Sequence, residues 1–327
     1  MRSETEVDVA VLGAGPAGAF AAALLARRGL ATVLIDAGRP QRKTSEWLSA
    51  RGATELQLAG LGQVLVCSGA VPASRVVVHD GESLEPSNEP STHWLGSEPL
   101  GHAWLLDRGR IDQALRDCAL AHGCCIRSPW IVTDIVRHVS AFRIECRGLD
   151  GQRTLVATHV VDATGAGRRR WRPLSRLDAR DPALCYQLWM TEERADGEPE
   201  LRVLAAGARM CGYRMTGGGH RSVWALANER PLPWRNAATE FQRLARIFGE
   251  PLAQLPSMGG AMLAAWCLRE DQVHGSVPGV LAIGDTAQVA DVATGRGLEQ
   301  ALATASAAVH AIALARTRHR NGPSPIR

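Results

Sequence analysis

The first residues in this chain whose types and spacing could do chemistry are Gly13-Ala14-Gly15-Pro16-Ala17-Gly18, a GxGxxG run. Glycines at this spacing let backbone approach a diphosphate. Gly13 permits a tight turn, Gly15 leaves room for the phosphates, and Gly18 lets a helix pack closely on a strand. The flanking elements suit that task. Val7 to Leu12 reads VDVAVL, an apolar run expected of a parallel strand buried on both faces. Ala19 to Arg28 is rich in Ala and Leu and reads as a helix, ended by Gly29. Ala31 to Ile35 reads as a second strand, closing on Asp36. The helix N-terminus, with Pro16 and Ala17 in its first turn, would offer unpaired N–H groups and partial positive charge to phosphates. Asp36 stands where a carboxylate accepts from the adenosine ribose hydroxyls. This unit alone does not separate FAD from NAD.

Two distant segments carry more. Val160-Val161-Asp162-Ala163-Thr164-Gly165 reads as a strand running into a glycine turn. Val280-Leu281-Ala282-Ile283-Gly284-Asp285 reads as another, and Gly295-Arg296-Gly297 precedes a long helix. An Asp at a strand end, Asp285, can accept from polyol hydroxyls. A helix beginning near Gly297 would favour negative charge at its N-terminus.

In these residues the chain resembles the flavoproteins that group aromatic-ring hydroxylases, flavin-dependent halogenases and geranylgeranyl reductases. The resemblance implies FAD, with Gly284 and Asp285 at its ribityl chain and Gly295 and Gly297 ahead of the helix under the isoalloxazine. Arg108-Gly109-Arg110-Ile111-Asp112-Gln113-Ala114-Leu115 is similar to the family's R-x-x-L-D-x-x-L helix start, which implies Arg108 beside the flavin. Arg42 and Glu46 match a further segment of the halogenase and reductase branch; their plainer reading is a solvated loop pair. The chain departs from the family at Gln288, where many hydroxylases carry His, and at Val292, where relatives have Pro. The halogenase W-x-W-x-I-P signature is absent.

Around these segments the chain reads as an α/β Rossmann-type FAD-binding domain with an inserted antiparallel substrate sheet. The expected FAD-binding pieces are residues 1–66, 101–177 and 275–320. The expected substrate pieces are 67–100 and 178–274, and 321–327 form a frayed tail. Residues 64–101 hold strand-like runs such as Arg75 to Val78, and Gly217-Gly218-Gly219 suits a hairpin turn. Asn236 to Phe248 suits an amphipathic helix, and Ala261 to Leu268 a strand. His79, His93, His102, His220 and His274 are acid/base candidates by position alone, and none is assigned a catalytic role.

Composition removes other classes. A net charge of +4, without a basic run interleaved with aromatics, argues against nucleic acid. None of the eight cysteines forms a CxxC pair, so no metal site is expected. The first strand, expected by Val7, leaves no room for a secretory leader, so a cytoplasmic protein with reduced thiols is expected. Leu298 to Ala315 is apolar but interrupted by Glu299, Gln300 and His310, and reads as a buried helix, not a membrane span. The function that follows is an FAD-dependent monooxygenase. It would act on an electron-rich small molecule or peptide, aromatic in one subgroup that hydroxylates tryptophan, through a flavin C4a-hydroperoxide. The alternatives are a reductase of the geranylgeranyl reductase type and a non-catalytic FAD-binding partner. No stable NAD(P)H site is expected. Electrons would come from a separate flavin reductase or from briefly docking NAD(P)H.

Overall fold

The computed structural model describes residues 5–38, 45–80, 86–87, 103–165, 184–206, 209–228, 234–249, 262–268, 279–287 and 296–320. Strand β1 (Thr5–Leu12) leads into helix α1 (Pro16–Arg27) and strand β2 (Thr32–Ile35). Next come β3 (Ser45–Leu48), α2 (Ala50–Leu58), α3 (Gln63–Cys67), β4 (Val71–Pro72), β5 (Arg75–Asp80) and β6 (Pro86–Ser87). They are followed by β7 (Trp104–Asp107), α4 (Arg108–Ala121), β8 (Cys125–Arg127), β9 (Ile131–Arg137), β10 (Phe142–Gly148) and β11 (Gly151–Asp162). The last elements are β12 (Leu184–Ala195), β13 (Glu200–Ala206), β14 (Arg209–Thr216), β15 (His220–Asn228), α5 (Trp234–Ile247), β16 (Met262–Leu268), β17 (Val280–Ala282) and α6 (Gly297–Arg320).

The first sheet runs β8-β2-β1-β11-β10-β9, with β17 also on β11. Strands β8, β2, β1, β11 and β17 are mutually parallel, as a βαβ chain requires. The twelve-residue β11 shares one edge between two partners. Its first part pairs antiparallel with β10, and Val160 to Asp162 pair with β17. Both faces of β1 are buried. Val9 and Val11 pack on α1, α4 and α6, whereas Ala10 and Leu12 pack on the β9–β10 extension through Phe142 and Ile144. This explains an apolar run without alternation.

The second sheet runs β16-β12-β15-β14-β13-β5-β6. One face, with Leu201, Val203, Tyr213, Met215 and Val223, packs on Trp47 and Leu105. The other carries the amphipathic α5, whose Phe241 and Leu244 meet Trp224 and Leu226. Between the two large sheets lies a small one, β3-β7-β4. Its alternation serves both neighbours: Leu48 and Leu106 join the helical core, and Trp47 and Leu105 join the second sheet.

Two details differ from the sequence reading. Gln63 to Cys67, to which the sequence reading assigned no helix, is a short helical turn with Val64 and Leu65 buried. Five residues are too few to reveal a helical period. The Ala-rich α6 buries only one face, through Leu298, Ala301, Leu302, Ala305, Val309 and Ile312, while Ala303, Ala307, Ala311 and Leu314 face outward. By length and composition alone, Gly297 to Thr317 could cross a membrane; here it packs along α1 and α2.

Candidate functional site

The parallel strands end together, and their crests are stitched by backbone hydrogen bonds. Gly13 N–H donates to the Ile35 carbonyl (2.8 Å), Ala163 N–H to Leu12 (2.8 Å) and Ile283 N–H to Asp162 (3.0 Å). The carboxyl edge of an open parallel sheet is where such folds bind ligands.

The three glycines of the first motif divide the work. Gly13 has φ +103°, and a Cβ there would lie 2.5 Å from the Ala163 carbonyl oxygen. At Gly18 a Cβ would lie 1.9 Å from the Gly13 oxygen. Both positions are closed by the protein's own backbone. Gly15 is the opposite case: it caps α1 without a side-chain hydrogen bond, and a Cβ there meets nothing within 4 Å. Open space before a helix start that lacks a side-chain cap suits an anion, so these residues fit a dinucleotide diphosphate.

The GD segment comes to the same place. Gly284, at φ +58°, would put a Cβ 3.0 Å from that of Ala17, so the third crest rests on the first turn of α1. Gly284 N–H donates to Thr304 Oγ1 on α6 (2.8 Å), which ties the crest to the helix that starts at Gly297. Asp285 is exposed. Thr286 is fully buried, and its Oγ1 accepts from Gly165 N–H at 2.8 Å. Sequence spacing did not reveal Thr286 or Thr304, because a lone threonine carries no periodic signal.

Asp36 follows β2 at the next crest. Its carboxylate accepts from Gly38 N–H (3.1 Å) and Ser128 Oγ (3.3 Å), and Arg116 Nη1 lies 4.0 Å away. At the other end of the site, Arg108 Nη1 donates to both oxygens of Glu46 at 3.0 Å, and its Nε to Asp112 at 2.9 Å. Glu46 therefore belongs to a strand and an ion cluster, not to a solvated loop pair. Burial alone would lower the Arg108 pKa, but Glu46 and Asp112 hold it above its ordinary value. Burial pushes the Asp112 carboxyl up despite Arg108, and burial together with Glu46 pushes the Tyr213 phenol up. At the start of α6, Ser49 Oγ donates to Glu299 at 2.6 Å and fixes α2 beside Gly297.

The structure thus brings together Gly13, Gly15, Pro16, Ala17, Gly18, Gly165, Gly284 and Asp285, with Gly297 tied in through α6. Arg108 opens α4, and Asp36 lies beside Arg116 partway along the same helix. Arg42, Gly295, Gln288, Val292, His93, His102 and His274 lie outside the described residues. His79 is buried against Phe248 with ring centroids 4.9 Å apart, and burial and Arg202 lower its pKa below the ordinary value. His220 begins β15, and burial and Arg194 lower its pKa below the ordinary value. No group of three or more potential metal ligands occurs among the described residues.

A family model described as FAD binding domain matches residues 6–169, which is half the chain and includes β1, α1, β2, α4 and Gly165. The chain belongs to this FAD-binding family. Its cofactor is FAD, and it is an FAD-dependent oxidoreductase of the monooxygenase-containing flavoprotein group. The chain is 27% identical over 324 residues to a menaquinone reductase of Mycolicibacterium smegmatis, covering 92% of this chain and 75% of the relative. Among solved structures it is similar to a peptidyl tryptophan dihydroxylase essential for tryptophylquinone cofactor biogenesis. That match has a TM-score of 0.67 and 27% identity, and covers 97% of this chain and 69% of the other. A geranylgeranyl bacteriochlorophyll reductase-like protein of Thermoplasma acidophilum shares the fold at 18% identity and a TM-score of 0.69, covering 97% and 80% of the two chains.

Proposed function

We propose that the protein is an FAD-dependent monooxygenase that hydroxylates an electron-rich aromatic substrate, with peptide tryptophan the leading candidate. The observation that carries this reading is the likeness to the peptidyl tryptophan dihydroxylase along nearly the whole chain, including the second sheet as well as the FAD-binding half. Bound FAD would supply the activation of O2 and the transfer of one oxygen atom. The chain's own residues bind and orient. The α1 N-terminus at Gly15 takes the diphosphate, Asp36 the adenosine ribose, Asp285 the ribityl hydroxyls and Arg108 the flavin end. The start of α6 at Gly297 would favour negative charge on a flavin ring edge held there. The second sheet, joined to the FAD-binding half through β3 and β7, would help shield the reacting face from water. Substrate, O2, NADH and a proton give hydroxylated substrate, water and NAD⁺, with a separate flavin reductase passing the electrons.

A second reading, a reductase that adds two hydrogens without oxygen, is favoured by the menaquinone reductase relative. One experiment separates the two. FAD-loaded protein, a flavin reductase and NADH are incubated with a tryptophan-containing peptide under ¹⁸O2. The monooxygenase gives a product carrying ¹⁸O. With a menaquinone analogue under nitrogen, a product gaining two hydrogens would identify the reductase instead. Neither product, with FAD retained, would leave a binding protein.

A further inference from the structure

Five charged side chains outside the glycine cradle form one row. Arg108, Asp112 and Arg116 are spaced four apart on α4, so they share a helix face and span about 12 Å. Glu46 closes the row at one end and Asp36 at the other. Read in order, Glu46, Arg108, Asp112, Arg116 and Asp36 alternate in sign. Each keeps a quarter or less of its side chain exposed: 24%, 13%, 14%, 16% and 23%.

Such shielding makes neighbours feel one another more than surface pairs do. It also makes the row costly, because taking charged groups largely out of water costs free energy even when they are paired. Asp112 shows the cost directly, its carboxyl pushed up by burial despite the Arg108 contact. Stability alone gives no reason for this arrangement. Position does, since the row links the two ends of the site. At Asp36 the carboxylate offers about four lone-pair directions. Gly38 N–H and Ser128 Oγ use two of them. Among the described residues no other hydrogen-bond donor takes the remaining two, which is the number a ribose diol needs. Arg116, itself steadied by Nη2 donating to Gln113 at 3.2 Å, stands 4.0 Å from that carboxylate, within ion-pair range.

We propose that Asp112 and Arg116 are positioning residues for FAD: Arg116 aims Asp36 at the adenosine ribose, and Asp112 holds Arg108 at the flavin end. This rests on the FAD placement given above. Neither residue need touch the cofactor, and α4 makes the two ends one rigid unit.

The test titrates apo-protein with FAD by flavin fluorescence and records visible circular dichroism of the bound flavin. Arg116→Ala is expected to weaken FAD about fivefold, as loss of an ion pair worth about 1 kcal/mol would. Arg116→Lys should recover most of that loss. Arg116→Ala should add nothing in an Asp36→Ala background, because its effect passes through Asp36. Asp112→Asn should change the flavin dichroism, Asp112→Glu should restore it, and Arg116→Ala should leave it as in the wild type. Thermal unfolding of each apo-variant reports folding separately. Additive losses in the Asp36/Arg116 cycle, or an unchanged spectrum in Asp112→Asn, would overturn the proposal. Wild-type protein that takes up no FAD would overturn both the proposal and the cofactor placement beneath it.

Discussion

Gly15 and Gly18 stand three residues apart, and replacing each should produce a different failure. Gly15 has φ −73° and ψ −178°, extended backbone that any residue adopts, and a Cβ there meets no atom within 4 Å. Gly15→Leu should therefore fold, losing at most about 1 kcal/mol for exchanging a favoured N-cap residue for an apolar one. Its side chain would fill the diphosphate space. Losing two charge-assisted N–H contacts costs about 3–6 kcal/mol, a fall in FAD affinity of roughly a hundredfold to ten-thousandfold. Gly18→Ala should fail in the apo-protein. Its Cβ would fall 1.9 Å from the Gly13 oxygen, and backbone on both sides cannot yield as a side chain would. A cost of about 1–3 kcal/mol or more follows, with melting lowered by several degrees before any cofactor is added. Circular dichroism melts of the apo-forms, paired with FAD titrations, read both effects. Gly15→Leu binding FAD within about tenfold of the wild type, or Gly18→Ala melting like the wild type, would refute the division of labour.

Other outcomes follow from the same geometry. Asp285→Ala should weaken FAD by about 1–3 kcal/mol, read by FAD titration beside apo-protein melts that report folding separately. Thr286→Val keeps the shape but removes the acceptor for Gly165 N–H, and should cost about 1–3 kcal/mol in apo-protein stability. With a thiol reagent at pH 8, the exposed Cys67 should react promptly. Cys124 and Cys146, both buried and pushed up to about 12, should react only on unfolding; peptide mapping of the labelled sites decides. Rapid mixing of FAD-loaded protein with NADH or NADPH should give slow, unsaturable bleaching, whereas fast bleaching that saturates at micromolar nicotinamide would reveal a dedicated site.

The cradle is legible in the sequence because glycines report steric demands that no other residue meets. Gly13 and Gly18 each sit where a Cβ would strike backbone, so their spacing carries three-dimensional information. The GD segment is legible for a related reason: Gly284 needs a positive φ and touches Ala17. The α4 row is not, because its meaning lies in pairings across long separations. Arg116 meets Asp36, and Arg108 meets Glu46 62 residues away. Nothing in residue type says that Glu46 joins α4 and not a neighbouring loop; that depends on β3 pairing with β7. Alanine is equally uninformative about exposure, which is why α6 reads as a buried helix but presents Ala303, Ala307 and Ala311 outward.

The most direct test of the central claim is a crystal structure of the protein grown with FAD. The expected density places the adenosine ribose within hydrogen-bonding distance of Asp36, the diphosphate against the N–H groups that follow Gly15, the ribityl chain at Asp285 and the ring over the start of α6 near Gly297. An FAD whose diphosphate lies elsewhere than the Gly13–Gly18 turn would contradict it.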